Sequence, residues 1–524
     1  MKTITATALK PMLGAEREFA FLDIREHGQY GEGHPFFCVS APYSVIEARA
    51  PVLVPRKKTL CVLMDDGDGV SALAHERLAA LGYENLLGLE GGAPAWAAAG
   101  YTLFKGVNVL SKTFGELVEH ACGTPSISAE ELRERQARSA PMIVLDGRSP
   151  SEFRKMSLPG ARSCPNAELG YRLPELVADE STPVIVNCAG RTRSIIGAQS
   201  LRNLGLKNPV FALRNGTQGW RLAGFELDHG RTPDAPPALS PASAALARAR
   251  AGRLVRGFGL SRVSPGTVAA WMADESRTTY LFDVRTEEEY LAAHCEHARH
   301  APGGQLVQAT DEFLAVRNAR IVLSDDLGLR AASTAIWLRG MGHEVHLLDA
   351  DASAGPASGP EPQPVIEAAS VPRLGEIANR PGLRLLDASR GMEYRAGHVE
   401  GAEWVTRARL DARIAQGPIL VLGRSAALVA GVMQRLTELG ANEVEGHVGG
   451  PEQWRAAGLA VVATPDLPAQ DDCIDYLFFV HDRHDDNLEA ARQYLAWECG
   501  LLKQLDAQER GALNPAHATP LETV

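Results

Sequence analysis

Four stretches of this 524-residue chain follow one pattern, and that repetition limits the fold more than any other feature. Each begins with an apolar strand ending in aspartate: Phe21-Leu22-Asp23-Ile24-Arg25, Val144-Leu145-Asp146-Gly147-Arg148, Leu281-Phe282-Asp283-Val284-Arg285 and Leu385-Leu386-Asp387-Ala388-Ser389. An aromatic residue follows in each (Tyr30, Phe153, Tyr290, Tyr394), then a second apolar strand, then a helix closing at Gly82, Gly205, Gly342 or Gly440. Three repeats end in Gly-x-x-x-Trp, at Gly92 and Trp96, Gly216 and Trp220, and Gly450 and Trp454; the third does not. The recurring Trp reads as core packing.

Only the second repeat carries a sulfur nucleophile. Cys188-Ala189-Gly190-Arg191-Thr192-Arg193 lies between the apolar run Val184–Asn187 and a helical pattern starting at Ser194. Loop amides forming a nest, the helix dipole and two arginines predict an anion-binding site that lowers the thiol pKa and keeps Cys188 partly as thiolate. The step of 42 positions from Asp146 to Cys188 reaches Asp65 from Asp23 and Asp325 from Asp283; counted back from Gly440, the fourth repeat has Gly423. Arg193 corresponds to Val70, Arg330 and Leu428. A carboxylate at Asp65 or Asp325 is expected to take the loop amides itself and silence its repeat. The third repeat, with Arg330 retained, reads as the one nearer to recovery by Asp325→Cys, although Leu327 replaces Gly190.

The strand-ending Asp-x-Arg, the Cys-x4-Arg loop before a helix and the terminal Gly-x-x-x-Trp resemble the rhodanese family of sulfurtransferases, over about 460 residues in four copies. The resemblance is to its multi-domain bacterial thiosulfate sulfurtransferases. It implies an α/β fold of four tandem small domains, each a central, mostly parallel sheet flanked by helices, with a C-terminal helical tail outside the motif. It also implies transfer of a sulfane sulfur through a cysteine persulfide, with Cys188 as carrier and the loop to Arg193 as its cradle. Gly33-His34, Ala293-His294 and Gly397-His398 stand where the second repeat has Met156-Ser157, so the histidine is absent from the repeat that should react and is not read as a base.

The chemistry agrees with that implication. Cys188 would attack the outer sulfur of thiosulfate and expel sulfite, while Arg191, Arg193 and the amides of Ala189, Gly190, Thr192 and Ser194 bind the sulfonate. Cyanide or a thiol would then take the sulfur, and neither metal nor organic cofactor is required. Thiosulfate, 3-mercaptopyruvate and a small persulfide all remain open as donors. Cysteine phosphatases and arsenate reductases also hold oxyanions on a Cys-loop-Arg, usually with five intervening residues against four here. A sulfur-relay scaffold, with silent repeats binding partners, is the other alternative. Asp146 and Arg148 read as a supporting ion pair, since the same pair recurs where no cysteine does.

A formal net charge of −11 argues against nucleic acid or a membrane surface as a general partner. The eight cysteines show no Cys-x-x-Cys pair. With a thiolate needed, and without a signal-like or membrane-spanning apolar run, a reducing cytoplasmic setting is expected. Cys164 and Cys295 read as buried residues without a catalytic part.

Composition predicts domains over 1–104, 105–232, 256–352 and 365–464, linkers over 233–255 and 353–364, and a tail over 465–524. Ser128-Ala129-Glu130-Glu131 reads as a capping box. Arg248, Arg250, Arg253 and Arg256 read as a solvated linker helix or as a basic strap beside the catalytic loop. An amphipathic helix near 487–505 needs a partner surface, on a repeat or in a homodimer. His481, Asp482, His484 and Asp485 read as helix-capping residues before they read as a metal site.

Overall fold

The computed structural model describes residues 1–351, 371–378, 380–484 and 487–518. The linker expected over 353–364 and Asp485 lie outside them.

Four parallel sheets flanked by helices recur along the chain. In the second repeat the strand order is Ser126–Ile127, Val210–Leu213, Val184–Asn187, Ile143–Asp146, Arg162–Ser163, all parallel. The third repeats it with Ser261–Val263, Glu344–Asp351, Arg320–Asp325, Thr279–Asp283 and Arg299–His300. In the first, Lys2–Ile4, Leu86–Leu89, Cys61–Met64, Phe19–Asp23 and Val39–Ser40 follow the same order. The fourth keeps Glu443–Val448, Pro418–Gly423, Arg384–Asp387 and Glu403–Trp404. The central strands are apolar throughout because helices cover both faces; every residue of Val184–Asn187 is buried. Trp96, Trp220 and Trp454 are buried in the cores of their repeats.

Two compact units form. One contains Met1–Leu9, Ala20–Gly106 and the fourth repeat as far as Phe478; the other contains Lys10–Phe19, the second and third repeats from Val107, and the tail from Phe479. The first and last repeats therefore belong to one unit and the two middle repeats to the other.

The Asp-x-Arg motif has one geometry wherever it occurs. Arg148 donates from Nε and Nη2 to Asp146 at 2.8 and 2.7 Å, and from Nη2 to the Met156 carbonyl at 2.7 Å. Arg25 makes the same bonds to Asp23 and the Gly33 carbonyl, and Arg285 to Asp283 and the Ala293 carbonyl. Both ions of the second-repeat pair are buried, so each compensates the other. The fourth repeat has Ser389 where the arginine should be, and the chain supplies a substitute from elsewhere. Arg424, next to Gly423, donates Nη2 to the Gly397 carbonyl at 3.0 Å, the counterpart of Met156 O.

The alternation of histidine and serine also has a structural cause. His34, His294 and His398 stack on Tyr30, Tyr290 and Tyr394, with ring centroids 3.7, 3.9 and 3.6 Å apart. Each His Nδ1 also lies within hydrogen-bond distance of its tyrosine's carbonyl. In the second repeat the aromatic residue is Phe153 and the small Ser157 stands in place of the histidine, keeping the backbone bridge, to Asp228, that His34 makes to Phe104. The histidine is a packing partner of tyrosine.

The arginine-rich segment is the helix Pro241–Gly257, packed on the helices Leu169–Leu176 and Leu329–Gly340. Arg250 reaches the Gly170 carbonyl and Arg253 the Leu204 carbonyl. The reading as a strap beside the catalytic loop is therefore corrected: the buried Ala247 and Ala251 seat the helix between two repeats, Arg250 and Arg253 close off carbonyls there, and Arg248 and Arg256 are exposed. Cys164 is buried, as expected, but Cys295 is only partly so.

Candidate active site

Cys188 follows the last residue of the central strand Val184–Asn187, and the helix Thr192–Asn203 starts four residues later. Asn187 anchors the strand end by donating Nδ2 to Asp146 Oδ2 at 2.8 Å. The site thus lies beyond the carboxyl end of a parallel strand, at the amino end of a helix whose first N–H groups have no intrahelical acceptor. Packing leaves little freedom behind the loop. The Thr217 amide donates to the Cys188 carbonyl at 2.9 Å and the Gln218 amide to the Ala189 carbonyl at 3.1 Å. Gly216 has φ +52°, and a Cβ there would stand 2.2 Å from Cys188 O. That approach explains the glycine of Gly-x-x-x-Trp in the second repeat, whereas Gly450 of the fourth has φ −132° and a Cβ there would meet nothing nearer than Gln453 Oε1 at 3.6 Å. Gly92 has the same relation to Asp65, with φ +60° and a Cβ that would stand 2.2 Å from its carbonyl oxygen.

A cavity of about 220 Å³ opens over the loop, lined by Cys188 to Arg193 and by residues from distant parts of the same unit, among them Lys112, Glu152, Gln308 and Glu498. Ser194 lies below it, donating Oγ to the Arg191 and Leu213 carbonyls at 2.8 and 3.3 Å. Thr192 is turned the other way, its Oγ1 donating to Glu498 Oε1 at 2.9 Å.

Both loop arginines are already paired, which the sequence did not reveal. Arg191 forms ion pairs with Glu116, at 2.7 Å, and with Glu119. Arg193 makes a bidentate pair with Glu152, Nη1 and Nη2 each at 2.7 Å. Burial works against the Glu152 carboxylate, but Arg193 outweighs it and holds the pKa down at about 2.

The expected thiolate needs correction for the same reason. Burial pushes the Cys188 thiol above its ordinary value; Arg193 and the Ser194 hydroxyl pull it down, and Glu498 pushes it up. Cys188 is only 2 % exposed, so desolvation of the charged form wins over one arginine whose charge is shared with Glu152. We expect Arg193→Ala to raise the thiol pKa further and Arg191→Ala to change it little. The check is the pH profile of Cys188 alkylation in each variant.

The first and third repeats show what replaces the thiol. Asp65 accepts the Gly67, Gly69 and Ser71 amides at 2.9, 3.2 and 2.9 Å. Asp325 accepts the amides of Asp326, Arg330 and Ala331 and also Arg330 Nε at 3.0 Å. The buried Arg330 is held further by Glu168, Glu289 and Asp326, and its guanidinium lies over the Tyr171 ring. Glu289 stands to Asp283 as Glu152 stands to Asp146, so the arginine–glutamate pair was readable from repeat spacing. Glu498 was not, because nothing near Cys188 in sequence points to it.

The amphipathic tail segment is the helix Leu488–Gly500, which packs on the helices Val109–Cys122 and Gly216–Leu222 of the second repeat. No helix among the described residues is long and apolar enough to cross a membrane.

Fold and site together define a class of α/β proteins in which a cysteine ends a central parallel strand and faces the amino end of the next helix. The Rhodanese-like domain model matches residues 128–223 and 264–354. The crystal structure of thiosulfate sulfurtransferase from Pseudomonas aeruginosa is 40 % identical, with 98 % of this chain and 99 % of that one covered and a TM-score of 0.88. The chain belongs to the rhodanese-like sulfurtransferases. A curated relative, the HTH-type transcriptional regulator Rv0324 of Mycobacterium tuberculosis, is 34 % identical over 104 residues, 20 % of this chain; the match spans 43 % of that relative's length.

Proposed function

We propose that the protein is a thiosulfate sulfurtransferase working through a persulfide on Cys188. The observation that carries this reading is the placement of one cysteine, in one of four repeats, between a buried strand end and a helix N-terminus, with Arg193 as the cation that favours its thiolate. The thiolate attacks the outer sulfur of thiosulfate, the S–S bond breaks, and its electron pair leaves with sulfite. The outer sulfur of the Cys188 persulfide is then attacked by cyanide or a thiolate acceptor, and the second S–S bond breaks to return the Cys188 thiolate. The N-terminal amides of the helix Thr192–Asn203 and Arg193 stabilise the anion in both steps. Residues 105–232 form the catalytic domain in this reading; 1–104, 256–352 and 365–464 form silent ones.

Incubation with thiosulfate should release sulfite and leave one added sulfur on Cys188, measured by intact mass and peptide mapping. Phosphate release from an aryl phosphate without sulfite release would point to oxyanion hydrolysis instead. The relative from Pseudomonas aeruginosa, covered almost end to end, supports the sulfur chemistry.

The third repeat is expected to stay unreactive even with a cysteine in place. Asp325→Cys in a Cys188→Ser background should acquire no persulfide by mass analysis. The retained Arg330 is already held by Glu168, Glu289 and Asp326, and Tyr171 Oη bonds Asp326 at 2.5 Å, so its guanidinium is committed before a sulfonate arrives.

A further inference from the structure

The mouth of the cavity over Cys188 holds a carboxylate with an unused oxygen. Glu498 lies on the helix Leu488–Gly500 and is 2 % exposed. Its Oε1 accepts from Thr192 Oγ1 at 2.9 Å, whereas Oε2, also buried, has no hydrogen-bond partner. That oxygen points at the loop, since a Cβ built on Gly190 would stand 2.9 Å from it. Glu498 and Cys188 line the same cavity.

A buried carboxylate oxygen without a donor is costly, and the cost is relieved when a ligand brings one. The other acidic group of the cavity, Glu152, is spent on Arg193, and Arg191 on Glu116 and Glu119. Lys112 and Arg483 line the cavity too, Lys112 Nζ donating to the Val107 carbonyl and the Arg483 guanidinium lying over the Tyr494 ring, so the negative charge of Glu498 acts against theirs at short range.

We infer that Glu498 shifts the charge selectivity of this site toward sulfur acceptors that carry a cationic hydrogen-bond donor and away from anionic ones. The inference rests on the Cys188 reading above. A thiol amine would give its ammonium N–H to Glu498 Oε2 while its sulfur attacks the outer sulfur of the persulfide. The acceptor leaves as its persulfide, the Cys188 thiolate is restored, and the acceptor's thiol proton passes to solvent. Thiosulfate enters against the same charge and is drawn by the helix amides and Arg193. The like charge of Glu498 is also felt by the Cys188 thiol, whose pKa it raises.

Cysteamine and 2-mercaptoethanesulfonate, two thiols of opposite charge, provide the test. With the thiosulfate-loaded protein, Glu498→Gln should shift the ratio of their kcat/KM toward the sulfonate by about tenfold, the scale of one hydrogen bond to a charged group. Glutamine can still accept from Thr192, and Glu498→Ala, with the same expected direction, serves if the glutamine variant misfolds. A ratio unchanged within about twofold, with persulfide loading intact, overturns the inference and leaves the sulfurtransferase reading standing. A wild type that takes up no sulfur on Cys188 overturns that reading instead. The charge effect is then read from alkylation of Cys188, where Glu498→Gln should raise the rate with iodoacetate relative to iodoacetamide. An unchanged alkylation ratio also counts against Glu498.

Discussion

Cys188→Ser is expected to abolish sulfur transfer from thiosulfate, with sulfite release falling to the level of the reaction without protein. A serine oxygen is similar in size to the thiol but forms no persulfide, so the loop should keep its shape and the protein its thermal transition. The wild type should gain one sulfur by intact mass and the variant none. Turnover in the serine variant would assign the sulfur to another cysteine. Cys164 is a poor alternative, because burial pushes its thiol well above the ordinary value.

Arg148→Met should produce the largest loss of stability. Asp146 is fully buried and receives the Arg148 amide, Nε and Nη2 together with Asn187 Nδ2. Removing the guanidinium leaves a carboxylate with one side-chain donor in a dry interior, at a cost of about 3–5 kcal/mol. It also frees the Met156 carbonyl, which Arg148 closes at 2.7 Å. Thermal unfolding of the full chain should show an earlier transition, while Arg413→Met, at an exposed ion pair with Asp411, should shift nothing measurable. Equal shifts in the two variants would refute the role given to the buried pair.

The repeats and their strands were legible because a parallel strand covered on both faces is a short apolar run, and its terminal aspartate marks where the loop begins. The loop from Cys188 to Arg193 was legible for the same reason, and these residues do line the cavity. The state of the thiol was not. Spacing shows that Arg191 and Arg193 are close to Cys188, and the shared offset of Glu152 and Glu289 could have placed Glu152, but nothing in it shows that Glu116 and Glu119 claim Arg191. Burial, a property of the whole unit, then decides the sign of the shift. The fourth repeat is similar: the missing Asp-x-Arg arginine suggests a weakened domain, yet Arg424 restores the contact to Gly397 O from another loop.

Thr192 and Glu498 meet across 306 residues of sequence. At a synthesis rate of about 5–20 residues per second, the ribosome needs roughly 15–60 s after making the cysteine loop before it has made the residue that overhangs it. For that interval the loop of a nascent chain stands open to small thiols and oxidants on the side that the helix Leu488–Gly500 later covers. Cys188 is therefore expected to be more open to reagents on the nascent chain than in the folded protein, where it is 2 % exposed.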